Sequence, residues 1–269
     1  MKRRVIYAIL TIIIACFVYY QELTDTSKNI NLDKDGVVDT VKPSFDFLPT
    51  STTKQLVRHR YYTLSYSENN EQAEWVAYEL HPNQLQRIDR KRPYFIRDKK
   101  VKTKSADYRN YKNSGYDKGH LCPAGDRRFS KNAFEETFLT SNISPQNHQF
   151  NAGIWNRLEQ KTRYWTKKYG TLYVVTGGIL TDKNLKTIGR EKVTVPKRFY
   201  KIILDYNQPE IKAIAFLIQA KDSNKPLYKF VTSIDKIEQI TGIDFFYQLP
   251  DTIENKLEAT SDYKKWSFR

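Results

Sequence analysis

Three observations predict an α+β fold with a mostly antiparallel central sheet flanked by helices. Short runs rich in β-branched and aromatic residues recur along the chain, two segments space their apolar residues by three or four and stop at glycine, and no internal repeat is visible. The 269 residues are 39% hydrophobic and 14% aromatic, which supplies a core and excludes a disordered or collagen-like chain. Two cysteines, Cys16 and Cys122, and 4 scattered histidines exclude a disulfide scaffold and a four-cysteine zinc site. Packing must hold the fold.

At the N-terminus, Lys2, Arg3 and Arg4 precede an apolar run from Val5 to Tyr20 that only Thr11 interrupts. The run is shorter than the ~20 residues of a comfortable membrane-spanning helix. It predicts a signal peptide or signal anchor over residues 1–20, with the rest extracytoplasmic, either secreted or anchored to the membrane. Ile13-Ile14-Ala15-Cys16 resembles a bacterial lipoprotein cleavage site that would acylate Cys16; the plainer reading is a small apolar residue inside the segment. Residues 21–45 are polar and aperiodic, as in a linker, and residues 46–269 form the domain.

Within the domain, YYTLSYS and EWVAYEL flank the turn-forming ENNEQ, which predicts a β-hairpin with a longer loop. Residues 82–118 are basic and turn-rich, the pattern of a functional loop region. After Pro145, the residues Ile154, Leu158, Thr162, Trp165 and Tyr169 predict an amphipathic helix ending at Gly170. LYVVTGGIL, RFYKIILDY and IKAIAFLIQ read as core strands. Ile234, Ile237 and Ile240 predict a last helix that stops at Gly242.

The 45 Lys and Arg against 30 Asp and Glu give a net charge of +15. Only three of those basic residues precede the apolar run, so the excess belongs to the domain and suits a polyanion, nucleic acid first and an anionic membrane second. Four features carry the chemistry: Asp117-Lys118-Gly119-His120, the run Ser141 to Gln146, Asn151, and Glu159. On a regular helix Asn151, Trp155 and Glu159 share one face. A carboxamide and a carboxylate are hard oxygen donors suited to Mg²⁺, and a neutral imidazole can take a proton from water. Base, metal and basic groove are the parts for phosphodiester hydrolysis. The other histidines, His59, His81 and His148, read as structural, and Lys99, Lys100, Lys102 and Lys104 as a solvated face.

The runs DKGHLCPAGD and SNISPQNHQFNAGIWNRLE closely resemble the DNA/RNA non-specific endonucleases of the ββα-metal (His-Me finger) class, from about Tyr61 to Leu249. The resemblance implies a sequence-non-specific endonuclease that cuts DNA and RNA and leaves 5′-phosphate ends. His120 would be the general base and Asn151 the one direct protein ligand of a hydrated Mg²⁺, or of another divalent ion such as Mn²⁺. Glu159 would hold metal-bound water, and Asn142 would help to position the site. Arg92 looks like the family's phosphate-binding arginine, Arg163 would contact the same charge, and Asp117 and Lys118 would contact substrate. Lys118 departs from the usual arginine, keeping the charge and losing the bidentate fork. Cys122, often alanine in the family, would be a buried thiol. A rival reading is a non-catalytic, membrane-tethered basic protein that binds nucleic acid or another polyanion.

Overall fold

Strands built from the apolar runs join in one seven-stranded sheet, ordered β1-β2-β3-β6-β9-β10-β11, in which every neighbouring pair is antiparallel. These strands are β1 (Leu56–Arg58), β2 (Thr63–Ser67), β3 (Gln72–Leu80), β6 (Leu172–Gly178), β9 (Arg198–Asp205), β10 (Lys212–Gln219) and β11 (Val231–Thr232). The computed structural model describes residues 46–259 and 262–268, apart from Arg87 and Gln208. The leader, the linker and Cys16 lie outside the described residues.

Alternation along the strands sorts side chains into two cores. Val174, Phe199, Ile203, Ile214 and Phe216 point to one face, where they meet Ile154, Trp155, Leu158 and Trp165. Tyr173, Val175, Tyr200, Ile202 and Ala215 point to the other, against Ile234, Ile237, Phe245 and Leu257. The layers are therefore α2 (Asn156–Tyr169), the sheet, and the pair α3 (Ile234–Thr241) and α4 (Asp251–Ala259). Full burial of each large apolar side chain contributes about 1.5–3 kcal/mol, so the three-layer packing is ample without disulfides. Gly170 at φ 97° and Gly242 at φ 72° end α2 and α3 at the predicted places.

A separate antiparallel hairpin stands apart from the sheet: β4 (Asp117–His120) and β5 (Ile143–Gln146), with His120 opposite Ile143 and Asp117 opposite Gln146. Between them runs the short helix α1 (Lys131–Glu136), whose Ser130 cap accepts a hydrogen bond from Ala133 N–H. A third small core, with Tyr111 and Ile143 against Val193 and Val195, packs β5 against the hairpin of β7 (Lys186–Ile188) and β8 (Val193–Val195). Ser144 bonds Gln72 at 2.6 Å and thereby ties the β4–β5 hairpin to β3.

One expectation needs correction. Asn151 does not open a regular helix: residues Asn151–Trp155 are π-helical, with Gly153 at φ −92° and ψ −108°, and α2 starts only at Asn156. The even i, i+4, i+8 stripe through Asn151, Trp155 and Glu159 is therefore broken. A β-carbon at Gly153 would sit 2.3 Å from Asp222 Oδ1, so close approach of the loop after β10 selects glycine there. The periodicity of 147–170 carries no trace of this distant neighbour.

Candidate active site

The short strand β4 places its residues on alternating faces, Lys118 and His120 on one and Asp117 with Gly119 on the other. The His120 ring sits between Phe95, at 5.6 Å, and the edge-on Phe138, at 5.1 Å. Lys118 Nζ lies 5.5 Å over Phe95, and the exposed Arg92 guanidinium lies 5.6 Å over Phe138. Two cations thus stand on the aromatic walls that enclose the imidazole, an arrangement that suits phosphate on either side.

His120 Nε2 is buried and has no hydrogen-bond partner among the described residues. Nδ1 makes no hydrogen bond among them either, so neither ring nitrogen is committed within the protein. Burial, reinforced by the nearby Arg92 charge, pushes the His120 imidazole down to about 3. It is therefore neutral near pH 7, the form a base needs. Its NMR signals should stay flat from about pH 8 to about pH 5, where a solvated histidine titrates near ~6.5; a midpoint near that value would show that the ring is not enclosed. Charging is penalised only in the folded state. The imidazole's effect on stability is thus constant above about 6.5, and stability falls as the pH drops from there toward 3.

Asn142 braces the chain just beyond His120. It is fully buried; its Oδ1 accepts from Cys122 N–H at 2.8 Å, and its Nδ2 donates to the carbonyls of Cys122 and Thr137, each at 3.0 Å. Its own carbonyl accepts from Leu121 N–H at 2.9 Å. Its side chain thus ties the backbone that follows His120 to the segment after α1. Cys122 is buried beside it, and burial pushes its thiol up to about 12.

At the other end of β4, Asp117 Oδ2 accepts from Asn151 Nδ2 at 3.0 Å and lies 3.0 Å from His148 Nδ1. With its amide nitrogen committed to Asp117, Asn151 keeps its carbonyl oxygen Oδ1 for a ligand; among the described residues that oxygen has no partner. Burial raises the Glu159 carboxyl to about 7, with Asp126 adding to the rise and Lys201 and Arg163 opposing it. A free carbonyl oxygen and a desolvated carboxyl fit a hard, hydrated divalent cation.

Arg163, by contrast, is partnered inside the protein: its Nη1 lies 2.7 Å from Asp126 Oδ1, and Asp126 also accepts from the Tyr78 hydroxyl at 3.0 Å. Lys201 is fully buried in β9, its Nζ 2.6 Å from Thr176 Oγ1 and 5.1 Å over the Trp155 ring.

Sequence reasoning gave no role to Lys201 or Asp126, read His148 as structural, and took Gln146 only as the end of the run from Ser141. Lys201 gave a signal as the one charge inside the apolar run FYKIIL. His148, read as structural, reaches the same carboxylate oxygen as Asn151. Gln146 is fully buried with both amide atoms unpartnered among the described residues, and a β-carbon at Gly119 would come within 2.2 Å of it. Of the histidines read as structural, His59 is 2.7 Å from the buried Asp98, which also accepts from Ser141.

The family model for DNA/RNA non-specific endonucleases matches residues 46–252. The mitochondrial nuclease EXOG of Danio rerio is 37% identical over 237 residues, which cover 78% of this chain and 68% of the relative. Human mitochondrial endonuclease G is 32% identical over 208 residues, or 71% and 69% of the two chains. In three dimensions the chain is similar to one in the crystal structure of the EndoG/EndoGI complex, with TM-score 0.69, 28% identity, and coverage of 77% of this chain and 89% of that one. These relatives overturn the extracytoplasmic, secreted or membrane-anchored expectation, since EXOG and endonuclease G are mitochondrial nucleases. A basic cluster before an apolar run marks a targeting segment but does not specify which membrane it addresses.

Proposed function

Because the chain belongs to the DNA/RNA non-specific endonuclease family and is a nuclease, we propose that it hydrolyses phosphodiester bonds with His120 as general base and a divalent cation, Mg²⁺ or Mn²⁺, held at Asn151. The observation that supports this reading is the neutral, enclosed His120, whose ring makes no hydrogen bond among the described residues, on the same short strand whose Asp117 holds the Asn151 amide. The rival, a tethered protein that binds polyanions without cutting them, does not explain this constellation.

In this mechanism His120 Nδ1 takes a proton as a water oxygen attacks phosphorus in line. The P–O3′ bond breaks, leaving a 5′-phosphate end, and the departing oxygen takes its proton from solvent. Arg92 and Lys118 hold the phosphate through charge, and the lysine does so without a bidentate fork. Asn151 Oδ1, and Glu159 through water, would hold the cation, which when bound stabilises charge on the phosphate and leaving oxygens. Asp117 orients Asn151 for that task. Lys201, Arg163 and Asp126 set the charge around Glu159, which keeps that carboxylate in place behind the site.

Plasmid and RNA digestion with and without EDTA tests the metal, and Asn151→Ala tests its seat. EDTA should abolish cleavage, and Asn151→Ala in Mg²⁺ buffer should lose at least ~10²-fold in rate. Cleavage that persists in EDTA would remove the cation from the mechanism, and wild-type turnover by Asn151→Ala would remove Asn151 from its seat.

A further inference from the structure

The segment that walls the imidazole pocket alternates between solvent and interior. From residue 92 to residue 97, Arg92, Tyr94 and Ile96 are exposed while Pro93, Phe95 and Arg97 are half-buried. A period of two belongs to extended backbone, so Arg92 and Tyr94 stand on one side, about 7 Å apart along the chain. Phe95 turns the other way and lies 5.6 Å from the His120 ring. Tyr94 is 90% exposed, more than any other large apolar side chain among the described residues, and its ring has no hydrogen bond or ring contact with them.

An exposed aromatic residue is by itself unremarkable, but this one is held in place. Ile96 N–H donates to the Phe138 carbonyl at 3.2 Å, and the Ile96 carbonyl accepts from Thr140 N–H at 2.9 Å, beside a parallel bridge between Ile96 and Leu139. Pro93 fixes its own φ at about −65° and keeps Arg92 extended. The ring is therefore presented to solvent from a stiff stretch of chain, and little conformational freedom is left to lose when a ligand covers it. Two residues upstream, the Arg92 guanidinium lies 5.6 Å over Phe138. A nucleotide whose phosphate rests on Arg92 carries its base within reach of Tyr94. In a duplex the faces of that base are covered by its stacked neighbours; in a single strand they are free to meet an aromatic ring.

We propose that Tyr94 is a specificity-determining residue on which an unpaired base of the substrate stacks, next to the phosphate on Arg92, so that stacking adds affinity for single strands and none for duplex. Ile96, 57% exposed on the same side, extends the apolar strip beyond the ring. This inference rests on the phosphate role given to Arg92 under the proposed function, and on neither the base nor the cation.

The test compares a single-stranded DNA oligonucleotide with the duplex of the same sequence, using the full chain. Tyr94→Ala should raise KM for the single strand about five- to a hundredfold more than for the duplex, with kcat little changed. Its Tm should match the wild type, because the side chain stands clear of the fold. Tyr94→Phe keeps the ring and should restore the single-strand KM. All four tryptophans, Trp75, Trp155, Trp165 and Trp266, are buried, so Tyr94→Trp adds the one exposed indole, whose fluorescence the single strand should quench in EDTA. Equal losses on both substrates, an alanine variant that behaves as wild type, a phenylalanine variant as impaired as alanine, or an unquenched indole would each overturn the stacking. Arg92→Ala should weaken both substrates; if it weakens neither while Tyr94→Ala still selects against single strands, the stacking stands and the phosphate seat is overturned.

Discussion

Replacing His120 with alanine should lower kcat by about 10²–10⁴ while leaving substrate affinity and the Tm nearly unchanged. In the proposed mechanism the imidazole accepts the proton of an attacking water, and its neutrality near pH 7 follows from enclosure by Phe95 and Phe138 and from the Arg92 charge. The proposal gives the phosphate to other side chains, Arg92 and Lys118, so KM should move little. Folding should tolerate the change, because the substitution removes a buried Nε2 that has no partner among the described residues and so breaks no hydrogen bond. His120→Asn, closer in volume, should be equally slow, which separates the lost base from a collapsed pocket. Steady-state digestion of a defined duplex, with a melt of each variant, provides both readings. A variant that turned over like the wild type would leave the reaction without this base.

The second large effect is expected at Asn142. Alanine there would leave the Cys122 N–H and the carbonyls of Cys122 and Thr137 buried without partners. Each such group costs about 1–3 kcal/mol, and the three share one brace, so a total near 3–5 kcal/mol is expected. For a domain of this size that lowers the Tm by about 10 °C. Activity measured well below the new Tm should also fall, mainly in kcat, because the backbone after His120 loses its anchor while the phosphate-binding cations stay in place. Asn142→Asp keeps the acceptor for Cys122 N–H but turns two donated bonds into buried repulsions, so it should rescue nothing. An alanine variant as stable as the wild type would show that the brace is dispensable.

The sequence made legible what depends on near neighbours. The three apolar runs became β6, β9 and β10, and the glycine stops at Gly170 and Gly242 fell where spacing put them. The DKGH and SNISPQ runs were visible as pieces, although nothing local says that they pair as β4 and β5. What stayed hidden depends on distant contacts. The π-helical step at Gly153 answers to Asp222, about seventy residues away in the chain, and a helical periodicity cannot register that. The charge set behind Glu159 joins Asp126, Arg163 and Lys201 from a turn, a helix and a strand, so no window of sequence contains it. Asn142 could be named but not explained, because its bonds run to backbone groups that carry no residue signature. Residues 1–20 show the opposite failure, where a plain local pattern was read as specifying a destination that it does not encode.

The two outermost strands of the main sheet, β1 with three residues and β11 with two, offer a neighbouring chain almost no main-chain hydrogen bonds to extend. Growth of this sheet by strand addition, the usual route from a long antiparallel platform to fibrils, is thereby capped at both margins. Assembly of copies at the margins of this sheet would have to be written in side chains, and would be correspondingly open to change by single substitutions at the surface.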